Sequence, residues 1–217
     1  MTVVWIVGVT NAMNLVDGMD GLAGAIGWIA AVAFGIIAAT AGRMDIVIVT
    51  TALMGALAAF LRFNWRPASI HLGDGGSLFL GFFLAIVGLQ TLQGSAGEPS
   101  VLIPLLILVV PLADTTFAVL RRVWMRRSPL ERDRGHIHHR LVRRGWTPVQ
   151  TVLWLSIITL LGSVAAVALQ FGCAVSWVLG GSTTALLAVV SIVRGFRGRN
   201  AATTEPWSGS LTKAGRP

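Results

Sequence analysis

The residues of this chain whose types and spacing could do chemistry fall into three separate polar clusters. The central cluster is a Gly-rich loop at residues 64–79, NWRPASIHLGDGGSLF, in which Asp74 is the single carboxylate. Backbone N–H groups at a helix start, beside a carboxylate that can hold a divalent cation, would make a phosphate and metal site. Alternatively, Ser77 is a plain N-cap of an apolar helix that starts at the next residue. Asn64 and His71 lie in the same loop, where a lone histidine fits a loop residue better than a ligand.

The first cluster lies at residues 11–22, NAMNLVDGMDGL, at the edge of an apolar segment. Asn11, Asn14, Asp17 and Asp20 recur in it at every third position. Neighbours at i and i+3 lie side by side on a helix, so Asn14 and Asp17 could share one ligand or cation. The alternative is a polar helix terminus in which the aspartates form turns. Four amide and carboxylate side chains beside a membrane are costly unless they are solvated or used, which favours a functional role.

The third cluster lies at residues 128–140, SPLERDRGHIHHR, and contains Arg134, His136, His138 and His139. Closed structural zinc sites are built from cysteines with histidines, and this stretch has no cysteine. Histidines flanked by arginines suit an anionic, phosphate-bearing partner better. The alternative is a solvated basic loop that touches anionic lipid headgroups.

The composition places these clusters in a membrane protein. The chain is 54% hydrophobic and 12% charged, whereas a soluble domain carries about 25% charged residues. Residues 145–193 contain no Asp, Glu, Lys or Arg, and this run is long enough for two membrane crossings. The net charge of +8 could indicate nucleic-acid binding, but the arginines cluster between apolar segments, as in cytoplasmic loops. We therefore expect the lipid bilayer as a partner and no nucleic acid.

The apolar runs predict an all-α fold, a polytopic bundle of transmembrane helices. We expect a transmembrane domain over residues 1–193 and a disordered cytoplasmic tail over residues 194–217. Residues 2–13 are too short to cross a membrane alone and would be a partial span. Six full spans are expected to follow, at residues 22–40, 46–61, 78–93, 101–120, 151–169 and 174–193.

The sidedness of the spans brings the three clusters together. With the basic loop at residues 121–148 in the cytoplasm, 16 of the 17 Lys and Arg residues fall on that side. All three clusters then face the cytoplasm as well. Asp114 would lie inside a span, either with a functional role or as a polar contact between helices. Carboxylates, a Gly-rich loop and a His/Arg loop at one membrane face indicate Mg²⁺-dependent chemistry on a phosphate.

Three strings carry a resemblance to a known family: NAMNLVDGMDGLAG, FNWRPASIHLGDGGSLFLG and PLADTTFAVLRRVWMRRSPLERDRGHIHHRL. In this order and between apolar spans, they resemble the polyprenyl-phosphate N-acetylhexosamine-1-phosphate transferases of glycosyltransferase family 4, over about residues 2–155. The HIHHRL form is similar to the bacterial branch that uses UDP-N-acetylglucosamine (UDP-GlcNAc). The branch that uses UDP-MurNAc-pentapeptide usually carries a different histidine string, and it is the alternative.

The resemblance implies that undecaprenyl phosphate, on the cytoplasmic face of the bacterial inner membrane, attacks the β-phosphate of UDP-GlcNAc and releases UMP. The lipid product would supply cell-wall or surface-polysaccharide synthesis. Asp74 would bind Mg²⁺, or Mn²⁺ in its place, with help from Asn14. Asp17 and Asp20 would line the nucleotide pocket as catalytic residues. The substrate-binding residues would be Asn11, Asn14, Asn64, Arg134, His136, His138 and His139.

The chain departs from the family pattern in one respect. Members are about half as long again, with further spans at the start and an adjacent Asp-Asp pair in an early cytoplasmic loop. This chain contains no Asp-Asp pair, so the resemblance implies the C-terminal part of such an enzyme. Alternatives are a non-catalytic homologue that needs a partner chain, or a small transporter with Asp114 in its pathway. A homodimer is a further expectation.

Overall fold

The structure, a computed structural model, describes residues 1–93, 101–125 and 136–171. These residues form eight α-helices, and no strand occurs among them. The predicted span at residues 174–193, the tail at residues 194–217 and Arg134 lie outside the described residues. In chain order the helices are α1 (Thr2–Val16), α2 (Leu22–Thr40), α3 (Met44–Asn64), α4 (Gly73–Gln93), α5 (Leu102–Ile107), α6 (Val109–Trp124), α7 (Ile137–Arg143) and α8 (Pro148–Gln170).

Four of these helices, α2, α3, α4 and α8, are long and apolar enough to cross a membrane. They correspond to the spans expected at residues 22–40, 46–61, 78–93 and 151–169, and they confirm an all-helical integral membrane protein. The prediction of six full spans is not confirmed. One expected span is broken into two helices, and the last lies outside the part of the chain that the structure describes.

The broken span is the one expected at residues 101–120. Helix α5 ends at Ile107 and α6 begins at Val109, with Leu108 between them. Pro111 has no N–H with which to bond the carbonyl of Ile107, and its ring crowds that carbonyl. The hydrogen-bond ladder is interrupted there, so α6 begins as a separate helix, which the apolar pattern alone did not indicate.

Helix α4 begins earlier than expected, at Gly73 rather than after Ser77. The interpretation of Ser77 as the N-cap is therefore wrong. Its hydroxyl instead donates back to the carbonyl of Gly73 at 2.9 Å, one turn earlier. Asp74 lies in the first turn, where the helix dipole and unpaired N–H groups favour a negative charge. Local interactions of this kind offset the low helix propensity of the glycines.

Helices α1 and α4 pack closely together and position the first two clusters. A Cβ atom added at Gly81 would lie 2.8 Å from the Cα atom of Thr10, so the two backbones nearly touch. The core beside this contact is fully buried and includes Met13, Leu80 and Leu84. Because Thr10 and Gly81 lie about one and two turns from Asn14 and Asp74, this close packing brings the two polar clusters together.

Candidate active site

Asn14, Asp74 and Ser77 meet at one end of the α1–α4 contact. The amide nitrogen Nδ2 of Asn14 donates to Oγ of Ser77 at 2.8 Å and to Oδ1 of Asp74 at 3.3 Å. The Asp74 side chain is otherwise exposed, and nothing lies within 4 Å of the position a Cβ atom would take at Gly73 or Gly75. The first turn of α4 therefore presents a carboxylate and free space for a ligand.

Asp17 follows the last residue of α1 and faces the same region. Burial raises the pKa of Asp17 from 3.8 to about 6. Nearby His71 lowers it, and the negative charge of Asp74 raises it. A half-buried carboxylate that feels the charge of a second one is a favourable place for a cation.

The loop that carries Asp17 and Asp20 is tied to the loop between α3 and α4. Asn64 is buried; its Oδ1 accepts from the Gly21 N–H at 2.9 Å, and its Nδ2 donates to the Ile70 carbonyl at 2.8 Å. Asp20 accepts from the backbone N–H of Ala68 at 3.3 Å. Both polar atoms of the Asn64 side chain are thus used to hold the two loops together, and these loops carry Asp17 and Asp74.

His138 connects the third cluster to the first. Its ring is 2% exposed, and a Cβ atom at Gly18 would lie 2.5 Å from Nε2 of His138. Within the described part of the chain, this Nε2 has no hydrogen-bond partner. Burial, together with the nearby His139, lowers the pKa of His138 to about 4. At neutral pH the ring is therefore uncharged and packs directly on the turn between Asp17 and Asp20.

His136 is buried as well, but its partner is known. Its Nδ1 lies 3.0 Å from Oδ2 of Asp114, and its ring stacks on that of His138 with 5.8 Å between centroids and 6° between planes. His139 packs at an angle on His138, with 4.3 Å between centroids. Beside His139 lies a pocket of about 460 Å³, which is also lined by Met19, Val142, Arg143 and Pro148.

Most of the predicted site residues therefore come together at one end of the helices. The Asn14–Asp74 and Gly18–His138 contacts join all three clusters through the turn at residues 17–21. Asn11 is one turn away on an exposed part of α1, where its amide donates back to the Val7 carbonyl at 2.8 Å. Arg134 lies outside the described residues.

Sequence reasoning missed three contributions to this region. Ser77 was interpreted as a cap, but its hydroxyl accepts the shorter of the two hydrogen bonds that Asn14 donates. His71 was set aside as a loop histidine, yet it acts on the charge of Asp17. Asp114 had two open interpretations, and the structure pairs it with His136. The position of His71 in the same loop as Asp74 could have indicated its role. No feature of the sequence indicated that residues 114 and 136 are in contact.

Comparisons with known proteins point to glycosyl transferases and phosphosugar transferases. Residues 1–92 match the family model described as glycosyl transferase family 4. The similarity extends beyond this range to the relatives described below, whose names describe the transfer of phosphosugars. The chain spans about half the length of the curated relatives that it matches.

Three relatives illustrate the match. A probable undecaprenyl-phosphate N-acetylglucosaminyl 1-phosphate transferase of Bacillus subtilis is 39% identical, over 78% of this chain and 48% of the relative. A phospho-N-acetylmuramoyl-pentapeptide-transferase of Lacticaseibacillus paracasei is 37% identical, over 74% and 48%. A decaprenyl-phosphate N-acetylglucosaminephosphotransferase of Mycolicibacterium smegmatis is 33% identical, over 73% and 45%. All three names describe transfer of a phosphosugar, and the first and third name a polyprenyl-phosphate acceptor.

Proposed function

We propose that this chain transfers GlcNAc-1-phosphate from UDP-GlcNAc to undecaprenyl phosphate on the cytoplasmic face of the bacterial inner membrane. The observation that carries the proposal is the joining of three distant motifs, through the Asn14–Asp74 and Gly18–His138 contacts. The 39% identity to the Bacillus subtilis relative supports the reaction type and the donor. The clustering of Lys and Arg in the loops next to the site supports the cytoplasmic side.

In the proposed reaction, a phosphate oxygen of undecaprenyl phosphate attacks the β-phosphorus of UDP-GlcNAc. The bond from this phosphorus to the oxygen that bridges the two phosphates breaks, and UMP leaves with the bond's electron pair. The product is undecaprenyl-diphospho-GlcNAc. The N–H groups of the first turn of α4 and the neighbouring basic side chains would stabilise the negative charge that moves onto the leaving UMP.

The donor set fits a magnesium ion that is bound together with a substrate phosphate. Mg²⁺ typically uses one or two carboxylates and completes its shell with water and phosphate oxygens. Asp74 is exposed, carries the only carboxylate of its turn, and lies beside the amide of Asn14. No group of three or more His, Cys, Asp or Glu side chains suited to a metal occurs among the described residues, so an all-protein cage is not expected there.

Asp74, with Asn14, would therefore hold Mg²⁺, and Mn²⁺ would suit the same oxygen ligands. The cation would neutralise charge on the diphosphate. Asp17 and Asp20 would line the nucleotide side of the site. His139 would reach the diphosphate or the sugar from the pocket that it shares with Arg143, whereas the buried His136 and His138 would shape that region.

A second donor, UDP-MurNAc-pentapeptide, is the alternative, because the Lacticaseibacillus relative carries that specificity in its name. The two donors share the uridine diphosphate, so the metal and nucleotide side of the site would not distinguish them. The sugar side of the site would distinguish the two donors, and the resemblance of the HIHHRL string to the UDP-GlcNAc branch favours GlcNAc. Rates measured with both donors under identical conditions decide between them.

The test is release of UMP by the purified chain in detergent, with UDP-GlcNAc, Mg²⁺ and undecaprenyl phosphate. Because the chain spans about half of its relatives, the assay is run on the chain alone and on the chain co-expressed with the unmatched part of the Bacillus relative. We expect release in at least one of the two preparations, with loss of release in Asp74→Asn. Absence of release from both, with either donor, would refute the proposed function.

A further inference from the structure

A buried carboxylate in α6 holds the beginning of the histidine string of the third cluster. Asp114 is 3% exposed, and its two oxygens go to consecutive residues. Oδ2 lies 3.0 Å from Nδ1 of His136, and Oδ1 accepts from the backbone N–H of Ile137 at 2.7 Å. Both oxygens of one carboxylate are therefore committed to a segment that lies more than twenty residues further along the chain.

The two contacts have different physical consequences. An ionised carboxylate only accepts hydrogen bonds, so its partner atom Nδ1 of His136 must carry the proton. This sets the tautomer and fixes the plane of the ring. Ile137 is the first residue of α7, where backbone N–H groups have no partner within the helix. Helix α7 has only seven residues, too few to be stable alone, so its position depends on contacts such as this one.

The orientation of His136 is passed on to the rest of the cluster. The His136 ring stacks on the buried His138 ring, which rests on Gly18, and His139 packs against His138. A displacement of His136 would therefore disturb the contact between the histidines and the turn at residues 17–21. Asp114 lies at the beginning of this series of contacts, in a helix that carries no other part of the site.

We propose that Asp114 is a positioning residue, which fixes the Nδ1–H tautomer of His136 and the start of α7 so that the histidine cluster is correctly placed against the turn at residues 17–21. This proposal rests on the proposed function for its effect on catalysis. It accounts for Asp114 without the transporter role left open by the sequence, because both of its oxygens are used by His136 and Ile137.

Asp114→Asn is the informative variant, because its side chain has the same shape but only one acceptor oxygen. Its oxygen can still accept from Ile137, but its NH2 group can only donate to His136, which forces that ring into the other tautomer. Asp114→Ala removes both contacts, and in this variant we expect faster hydrogen–deuterium exchange at the amides of residues 137–140, measured by mass spectrometry in detergent. We also expect kcat/KM for UMP release to fall on the order of 10–100-fold, as for other residues that orient a functional histidine. Asp45→Asn is the matched control, since Asp45 pairs with Arg43 in the first turn of α3.

A double variant separates positioning from an independent role. If Asp114 acts through His136, then Asp114→Asn combined with His136→Gln is no slower than His136→Gln alone. A further fall of the same size in the double variant would overturn the proposal. If the wild-type chain releases no UMP, the proposed function fails separately and the exchange data decide. Unchanged exchange at residues 137–140 in Asp114→Ala overturns the positioning, and faster exchange supports it.

Discussion

Asn14 and Asp74 are 60 residues apart in the chain, yet Nδ2 of Asn14 lies 3.3 Å from Oδ1 of Asp74. The first residue stands at the end of α1 and the second in the first turn of α4. Their meeting depends on the close packing of these helices, which Gly81 allows. The site therefore depends on the contact between α1 and α4 as well as on the polar residues themselves. This dependence can be tested by changing residues of the helix contact and leaving the polar residues intact.

Gly81→Ala is expected to separate α1 from α4. The added Cβ atom would lie 2.8 Å from Cα and 2.9 Å from the carbonyl oxygen of Thr10, and backbone atoms cannot move aside as a side chain can. We expect a loss of about 1–3 kcal/mol in unfolding free energy and a clear fall in UMP release. The control is Gly55→Ala in α3, where nothing lies within 4 Å of the added atom. Equal behaviour of the two variants would contradict the helix-contact account.

Gly18→Ala tests the contact between the first and third clusters. Its Cβ atom would lie 2.5 Å from Nε2 of His138, and the buried ring has little room to retreat. We expect UMP release to fall at least as far as in His138→Ala. Gly8→Ala in α1 is the matched control, because its added atom meets nothing within 4 Å. Full activity in Gly18→Ala would show that the histidines need not rest on this turn.

Asn64→Ala asks whether Asn64 binds substrate or braces two loops. The change leaves the Gly21 N–H and the Ile70 carbonyl without their partner, which costs about 1–3 kcal/mol for the buried Gly21 N–H and less for the part-buried carbonyl. We expect a lower thermal midpoint together with weaker activity. Gln90→Ala, which removes an amide that contacts Arg43, should change stability by less than about 0.5 kcal/mol. Weaker binding of UDP-GlcNAc with unchanged stability would instead show a direct substrate contact.

The raised pKa of Asp17 predicts a pH-dependent stability. With a folded pKa of about 6 against an ordinary value of 3.8, the folded chain retains a proton that the unfolded chain releases between these values. Stability from this group therefore falls as pH rises from about 4 to 6, and it is lowest above pH 6. His71 and Asp74 face the group and are unchanged in the variant used.

Asp17→Asn removes the loss of stability that ionisation of Asp17 causes at higher pH. Its thermal midpoint should exceed that of the wild type at pH 7–8, and the two should converge near pH 4. Comparing the two proteins at each pH cancels contributions from His138, whose lowered pKa acts in the opposite direction over part of the same range. A constant difference across the whole range would show that Asp17 is not the titrating group.

The sequence was sufficient to predict the helical membrane fold and the three clusters that share one face. Apolar runs bounded by charges located α2, α3 and α8 to within a few residues, because the hydrophobic effect of the bilayer dominates there. Two boundaries were missed for local reasons. Gly73 begins α4 because Asp74 and Ser77 stabilise its first turn, and Pro111 breaks the next span at Leu108.

The pairings within the site could not be predicted from the sequence. Spacing suggested that Asn14 and Asp17 share a ligand, but the hydrogen bonds of Asn14 go to Asp74 and Ser77 in another helix. The Asp114–His136 contact joins α6 to the start of α7, 22 residues further along the chain. Such contacts arise from the packing of whole helices, which the hydrophobic periodicity and the composition of the sequence do not specify. The roles assigned to Asn11 and Arg134 remain predictions.

The most direct test of the central claim is the affinity for UDP-GlcNAc in the presence of Mg²⁺, measured by isothermal titration calorimetry. It needs neither the lipid acceptor nor turnover. The claim is that Asp74 and the histidine cluster serve one nucleotide sugar. Asp74→Asn and His139→Ala should each weaken binding on the order of tenfold or more, as expected for loss of a charge-assisted contact, whereas Asp45→Asn should not. Unchanged affinity in both Asp74→Asn and His139→Ala would contradict the account.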